Sequence, residues 1–433
     1  MEPAGTIARA VDGVLRIKVT PEDFIVREHV DIPFHQEGRY RIYLLEKRGW
    51  NTADAVESVA EASGVPVSVV RYAGLKDRHA LTRQYISVPR EHELKSRVPD
   101  LELTPAGFSD EFVSTKVLVG NTFEITIRRL GPAERAFIEL RLPEVQRFGF
   151  LNYFDDQRFG SVTAEGDFLA ERLLKGHLKG ALRLYLTAVY PGQRKAERDR
   201  RQAISAAWGH WDAVLALCAS GTSAEKEIAR ILPQGGNRKN LLKAVNAIPG
   251  REMAMYFAAY QGFIWNRSLR IFAGLGDDSD AGGHGVPRQD TAGRAVARPG
   301  CFSVPGKTGS YVFCRDVPDD VFESLHGAQI PTVARQLLYC PPAVEAAVDA
   351  ALGERGVALS DFNLRGIRAA YFKSFYRPAI VVPGDLSAGA FLPDELYQRY
   401  EKVRLSFLLP RGSYATMLLK ALGGLRPASP AGA

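Results

Sequence analysis

Cysteine is scarce in this chain, with four among 433 residues. Cys218, Cys301, Cys314 and Cys340 lie 83, 13 and 26 positions apart, so no C-x-x-C pair opens a zinc site or a redox motif. The four read as buried or free thiols. Sparse cysteine, with no positively charged leader running into an apolar stretch, predicts a reducing cytoplasm. Long apolar runs are missing too. The longest, MAMYFAAYQGFIW (253–265), is interrupted by Gln261 and Gly262 and is too short to cross a bilayer, so it reads as a core helix. The eight histidines include no H-E-x-x-H pair and no His-x-Cys grouping, which argues against a metal hydrolase and leaves no metal site to expect. Neither G-x-x-x-x-G-K-[ST] nor a strand followed by G-x-G-x-x-G occurs, so the usual loops for nucleoside triphosphates and dinucleotides are lacking. No internal repeat is visible.

What is present is an ordinary globular composition, 46% hydrophobic and 24% charged, in a chain long enough for two or more domains. Lys and Arg number 56 against 49 Asp and Glu, a net +7, compatible with a nucleic-acid partner and common without one. The first third reads as strands around one helix. RIKV and DFIVREHV flank the turn signal TPED, and RYRIYLLEKR alternates as a half-buried strand does. NTADAVESVAEASG changes period: Ala53, Val56, Val59 and Ala60 share a helical face, Asn51 or Thr52 caps the start and Gly64 stops it. STKVLV and TFEITIRRL are expected to form a hairpin through Gly120 and Asn121.

From about Glu165 the pattern turns helical, through GDFLAERLLKGHLKGALRLYL, AISAAWGHWDAVLALC, NLLKAVNAI and residues 253–272. Residues 274–300, rich in Gly, Asp and Arg and without periodicity, predict a mobile loop. Strand-like sequence resumes near Ile367. A helical block between strand-rich ends suggests an insertion into one domain.

Three stretches offer chemistry. QGGNRKN (234–240) is either a phosphate cradle at a helix start or simply a turn. RKAERDRR (194–201) is either a backbone contact for nucleic acid or a solvated helix face. In NYFDDQRFGS (152–161), Tyr153, Phe154 and Phe159 alternate with Asn152, Gln157 and Arg158. Such a mixture gives an unstacked base a face to stack on and partners for its edge, or else fills a core. A fourth, RYAGLKDRHALTRQYISV (71–88), sets one carboxylate, Asp77, between Lys76 and Arg78, with Arg71 and Arg83 nearby. Asp77 is either a turn residue or a catalytic group.

Taken together, KVTPEDFIVRE (18–28), RYAGLKDRHALTRQYISV, VGNTFEITIR (119–128), LNYFDDQRFG (151–160), AYQGFIWNRSL (259–269) and SFLLPRGSYATMLL (406–419) resemble the TruD family of pseudouridine synthases, in order and over most of the chain. The resemblance implies that Asp77 is the catalytic aspartate, that Lys18, three positions before the P-E-D-F motif, is its basic partner, and that Asn152 and Phe154 meet the flipped base. Gln157, Arg158, Lys76 and Arg78 are the further expected substrate contacts. It implies an α+β fold: a pseudouridine synthase core with an antiparallel-rich mixed sheet, built from residues 1–164 and 366–433 and interrupted by a mostly helical insertion over 165–365. The expected reaction isomerises uridine in tRNA, at position 13 of the D arm, with no cofactor, in a monomer that needs no protein partner and no membrane. The alternatives are a tRNA-folding factor of the same fold and a synthase acting on other RNA uridines.

Overall fold

Alternation of apolar residues builds most of the sheet. The computed structural model describes residues 16–190, 192–275, 300–315 and 317–423, with the backbone of 288–289 and 295–296. Strands β1 (Phe24–Val30) and β2 (Tyr40–Arg48) lead to helix α1 (Thr52–Ser63). Asn51 caps α1 by accepting from the Asp54 amide at 2.9 Å, and Gly64 ends it at φ 68°. The buried face of α1 is Thr52, Ala55, Val56, Val59 and Ala60, packed on Tyr43, Leu45, Ile86 and Val88. Ala53, expected on that face, is exposed. There follow β3 (Arg71–Tyr72), β4 (Leu81–Pro89), β5 (Leu101–Ser109), β6 (Leu118–Leu130) and helix α2 (Pro132–Phe148). RIKV is not a strand: only Arg16 bridges, to Arg128 of β6.

The expected hairpin at Gly120 and Asn121 is absent, because β6 runs straight through both residues. Gly120 serves close approach rather than a turn. A Cβ there would stand 2.4 Å from the Leu409 carbonyl oxygen of the neighbouring strand.

The middle of the chain is helical: α3 (Leu169–Leu174), α4 (Leu178–Thr187), α5 (Lys195–Ala206), α6 (Trp211–Cys218), α7 (Ser223–Ile231), α8 (Arg238–Val245) and α9 (Gly250–Phe272). The apolar run lies within α9, and no helix among the described residues is long and apolar enough to cross a membrane. The RKAERDRR stretch lies at the start of α5 and clamps helices together. Arg200 and Arg201 both reach the buried Glu225 of α7, at 2.9 and 2.8 Å. Strands β7 (Cys301–Gly306) and β8 (Gly309–Cys314) form a hairpin, then α10 (Asp319–His326) and α11 (Pro342–Gly353) complete the block. Cys301 and Cys314 sit opposite each other in that hairpin and are disulfide-bonded, correcting the expectation of free thiols. Only antiparallel register, invisible in the spacing, brings them together. Cys218 and Cys340 are the buried free thiols. Most of the expected loop at 274–300 lies outside the described residues, although Arg288–Gln289 pairs with Ala295–Val296.

The chain ends in β9 (Gly384–Ala388), β10 (Glu401–Pro410) and helix α12 (Ala415–Gly423). The main sheet has the order β9-β10-β6-β1-β4-β2-β5, with β1 and β4 parallel and the other neighbours antiparallel. This α+β fold forms two units. One holds the described residues up to Phe150 and from Val381 onward, and the other is Leu151–Ile380. These borders differ from the expected 164 and 366. They assign Asn152, Phe154, Gln157 and Arg158 to the second unit, whereas Asp77 belongs to the first.

Candidate active site

Asp77 sits in the loop between β3 and β4, and four elements hold that loop by its backbone and by Lys76. From β2, the fully buried Lys47 donates its Nζ to the Asp77 carbonyl at 2.9 Å and to the Trp50 carbonyl at 2.6 Å. From α1, the Thr52 hydroxyl accepts the Lys76 amide at 2.8 Å and donates to Gln84 at 2.9 Å. From β4, Gln84 donates to the Gly74 carbonyl at 3.2 Å. From β1, Glu28 accepts Lys76 Nζ at 2.6 Å, and its other oxygen accepts the Tyr85 amide at 3.0 Å. With its main chain bonded on several sides, the loop is ordered before any substrate arrives, and that is what lets a carboxylate act in one fixed direction.

The carboxylate itself is turned to Lys18. Lys18 Nζ pairs with Asp77 Oδ2 and lies 4.2 Å from the Phe24 ring centroid, while Asp77 Oδ1 accepts the His79 amide at 3.0 Å. Burial works against the charge on Asp77, but the Lys18 ammonium and the His79 N–H prevail and hold its pKa below the ordinary carboxylate value. Asp77 is therefore ionised at neutral pH while its side chain keeps 30% exposure, enough to be reached. Lys18 adopts φ 59°, a left-handed conformation that disfavours side chains other than glycine. The turn after it is fixed: Arg128 holds Asp23 through Nε at 2.9 and 3.0 Å, and Arg16 and Arg128 exchange backbone bonds at 3.1 and 2.8 Å.

The other expected contacts fall out differently. Lys76 is bound to Glu28 with its side chain 8% exposed, so its ammonium is not free for substrate. Arg78 is exposed next to Asp77. Of the cations near Asp77 in sequence, Arg83 pairs with Glu46. In the second unit, Asn152 accepts from Arg377 at 2.7 Å through its side-chain oxygen and donates to the Pro378 carbonyl at 3.1 Å. Phe154 is 3% exposed, with the Arg377 and Arg158 guanidiniums 4.2 and 4.9 Å from its centroid and Trp265 edge-on at 5.5 Å. Gly262 of α9 admits this packing, since a Cβ there would meet Arg158 at 3.0 Å and Phe154 at 3.4 Å. The segment behaves as a core hub, and of the four contacts expected in it Gln157 is the exposed one. QGGNRKN is a capped turn in which Asn237 accepts the Asn240 amide at 2.9 Å.

Sequence reasoning missed Lys47, Glu28, Gln84 and Arg377. Three of them carried a signal: in the alternation of β1, β2 and β4, Glu28, Lys47 and Gln84 occupy buried positions, where a strand ordinarily places apolar residues.

The family model matching residues 7–286 describes tRNA pseudouridine synthase D (TruD). This chain is 30% identical over 414 residues to "tRNA pseudouridine synthase D" of Aquifex aeolicus, covering 94% of this chain and 98% of that protein. It is 29% identical over 407 residues to "Probable tRNA pseudouridine synthase D 1" of Methanococcus maripaludis, again covering 94% and 98%. Its fold matches the crystal structure of a TruD-named protein from Methanosarcina mazei with TM-score 0.70 at 23% identity, over 96% of this chain and 94% of that one.

Proposed function

Because this chain belongs to the tRNA pseudouridine synthase D (TruD) family of isomerases, we propose that it isomerises uridine 13 in the D arm of transfer RNA, with Asp77 as the catalytic carboxylate and Lys18 as its cation. The observation that carries this reading is the Lys18–Asp77 pair on a loop tied down by Lys47, Thr52, Gln84 and Glu28. A turn residue needs no such support, and a pure RNA binder has no use for an ionised carboxylate facing a polyanion.

In the reaction the N1–C1′ bond of uridine breaks and C5 bonds to C1′, while the proton lost from C5 is balanced by one gained at N1. Substrate and product contain the same atoms in the same oxidation state, so the chemistry asks for no cofactor. Asp77 serves in its ionised form, as a nucleophile or as the base toward the ribose. Removing the uridine from its stack costs a few kcal/mol, offset by pocket and phosphate contacts. Arg78, exposed beside Asp77, is the proposed phosphate contact. The base-stacking face is not assigned to Phe154, whose ring is already covered by guanidiniums. The reading includes a cytoplasmic monomer whose macromolecular partner is tRNA.

Incubation with unmodified tRNA, followed by a chemical adduct of pseudouridine that stops primer extension, reports both activity and position. One stop at uridine 13 with the wild-type protein, absent with Asp77→Asn while RNA affinity stays within a few-fold, is the expected result. Turnover retained by Asp77→Asn would remove Asp77 from the chemistry, and stops elsewhere would reassign the target.

A further inference from the structure

Helix α8 and its C-cap Asn246 set Arg238, Lys239, Leu242, Lys243 and Asn246 at spacings that place them along one side, and they line a groove of about 760 Å3 together with Arg368. Arg368 is far away in sequence and is brought in by one clamp. The Asn246 side chain donates to the Gly366 carbonyl at 2.8 Å and accepts the Arg368 amide at 2.8 Å. Gly366 permits this turn through φ 91° and rests on Leu242, which a Cβ would meet at 3.1 Å.

The charge in this groove is unbalanced. Arg238, Lys239, Lys243 and Arg368 are exposed, and among the described residues none has a carboxylate partner. Glu227, the one acid in the lining, is engaged with Arg230 on its own helix at 3.7 Å. Lys239 and Lys243 are like charges four apart, and the first turn of α8 has no acidic residue to offset Arg238 and Lys239. Both arrangements cost a few tenths of a kcal/mol in an isolated helix, and a bound polyanion relieves them. By contrast, Arg200 and Arg201 of α5 are neutralised by Glu197 and Glu225. The α8 groove is thus a concentration of unpaired positive charge held in shape by an unrelated loop.

We propose that the groove between α8 and the 365–368 turn is a second RNA contact, in which Arg238, Lys239, Lys243 and Arg368 take the phosphodiester backbone of the RNA whose uridine reaches Asp77. This rests on the reading of the chain as an RNA uridine isomerase. The contact is sequence-independent: it holds the RNA without selecting the base.

The test uses the full chain and an unmodified tRNA transcript, with affinity measured across a salt series. The triple substitution Lys239→Gln, Lys243→Gln, Arg368→Gln changes exposed side chains only. It is expected to weaken binding about tenfold or more and to flatten the plot of log affinity against log salt by roughly 0.7–0.9 for each phosphate no longer neutralised. A charge-matched control, Lys95→Gln, Arg97→Gln, Lys116→Gln, lowers the net charge equally and should have a much smaller effect. Asn246→Ala keeps every cation but frees the Arg368 turn, and should reproduce part of the loss. Unchanged affinity and slope in the triple variant, or an equal loss in the control, would overturn the proposal. Because affinity is read independently of turnover, a wild-type protein that binds through the groove yet forms no pseudouridine would refute the enzymatic reading alone.

Discussion

Lys18 and Lys47 are two cations with opposite tasks around one aspartate. Lys18 faces the Asp77 carboxylate and lowers its pKa against burial. A carboxylate with a depressed pKa contributes stability at every pH above its unfolded value and loses that contribution as pH falls through the folded one. For Asp77 that window lies below the ordinary 3.8. Lys18→Met removes the cation and leaves only His79 to oppose burial, so the Asp77 pKa rises. Turnover should fall strongly at pH 7 and recover in part as pH increases, while RNA affinity stays near normal. Equal wild-type and variant rates across the pH range, in single-turnover assays, would exclude Lys18 from the mechanism. Lys47 instead holds the Asp77 main chain, and burial lowers its own pKa to about 8, opposed by Asp77 and assisted by Lys76. Between about pH 8 and the ordinary 10.5 the unfolded chain therefore binds the proton that the folded protein has released. Over that interval the wild type should gain roughly 3 kcal/mol of stability relative to Lys47→Met. Denaturant unfolding of both proteins at pH 7.5 and 10 measures this, and a constant difference would show that Lys47 is not the titrating group. The same variant should lower kcat more than it raises KM, since it loosens the loop rather than the RNA contact.

Strand β6 and the 151–160 segment show how an element overrides local signals. Gly120–Asn121 has the composition of a turn, yet β6 passes between β1 and β10, with His29 and Pro410 opposite Gly120. The glycine is needed because the β10 backbone lies where a side chain would go. Gly120→Ala should destabilise the protein by about 1–3 kcal/mol through overpacking, read as a lowered thermal midpoint. An unchanged midpoint would mean that the strands separate freely at that point. Phe154 tests the second element. With Arg377, Arg158 and Trp265 around it, Phe154→Leu should lower the thermal midpoint, because each guanidinium that no longer faces an aromatic ring forfeits about 0.5–2 kcal/mol. A variant that melts like the wild type but loses turnover would return Phe154 to the flipped base.

For the whole molecule, every strand of the main sheet and both members of the Lys18–Asp77 pair belong to the unit that ends at Phe150 and resumes at Val381. Its two chain ends lie close together, since a Cβ on Gly149 would stand 2.2 Å from the Val381 carbonyl oxygen. Replacing residues 151–380 by a short Gly-Ser linker should therefore leave a unit that unfolds cooperatively. It should bind tRNA more weakly and with a shallower salt dependence, because the α8 groove is gone. Failure of this unit to show a cooperative transition would mean that its stability depends on the second unit.

Local sequence determined the elements whose causes are local. The α1 caps at Asn51 and Gly64, the alternating strands, the α9 core helix and the helical middle all follow from residues within a few positions of one another. The roles proposed for Lys18 and Asp77 rest on six motifs that keep a family's order. Tertiary structure decided whatever depends on a distant partner. It placed Gly120 against Leu409 instead of in a turn and joined Cys301 to Cys314 across a hairpin. It also gave Lys76 to Glu28, packed Phe154 against Arg377 and Trp265, and put Lys47 under the Asp77 loop. In each case the deciding atom lies at least 13 residues away in the chain, and its position follows from strand register and helix packing, which composition and spacing do not encode.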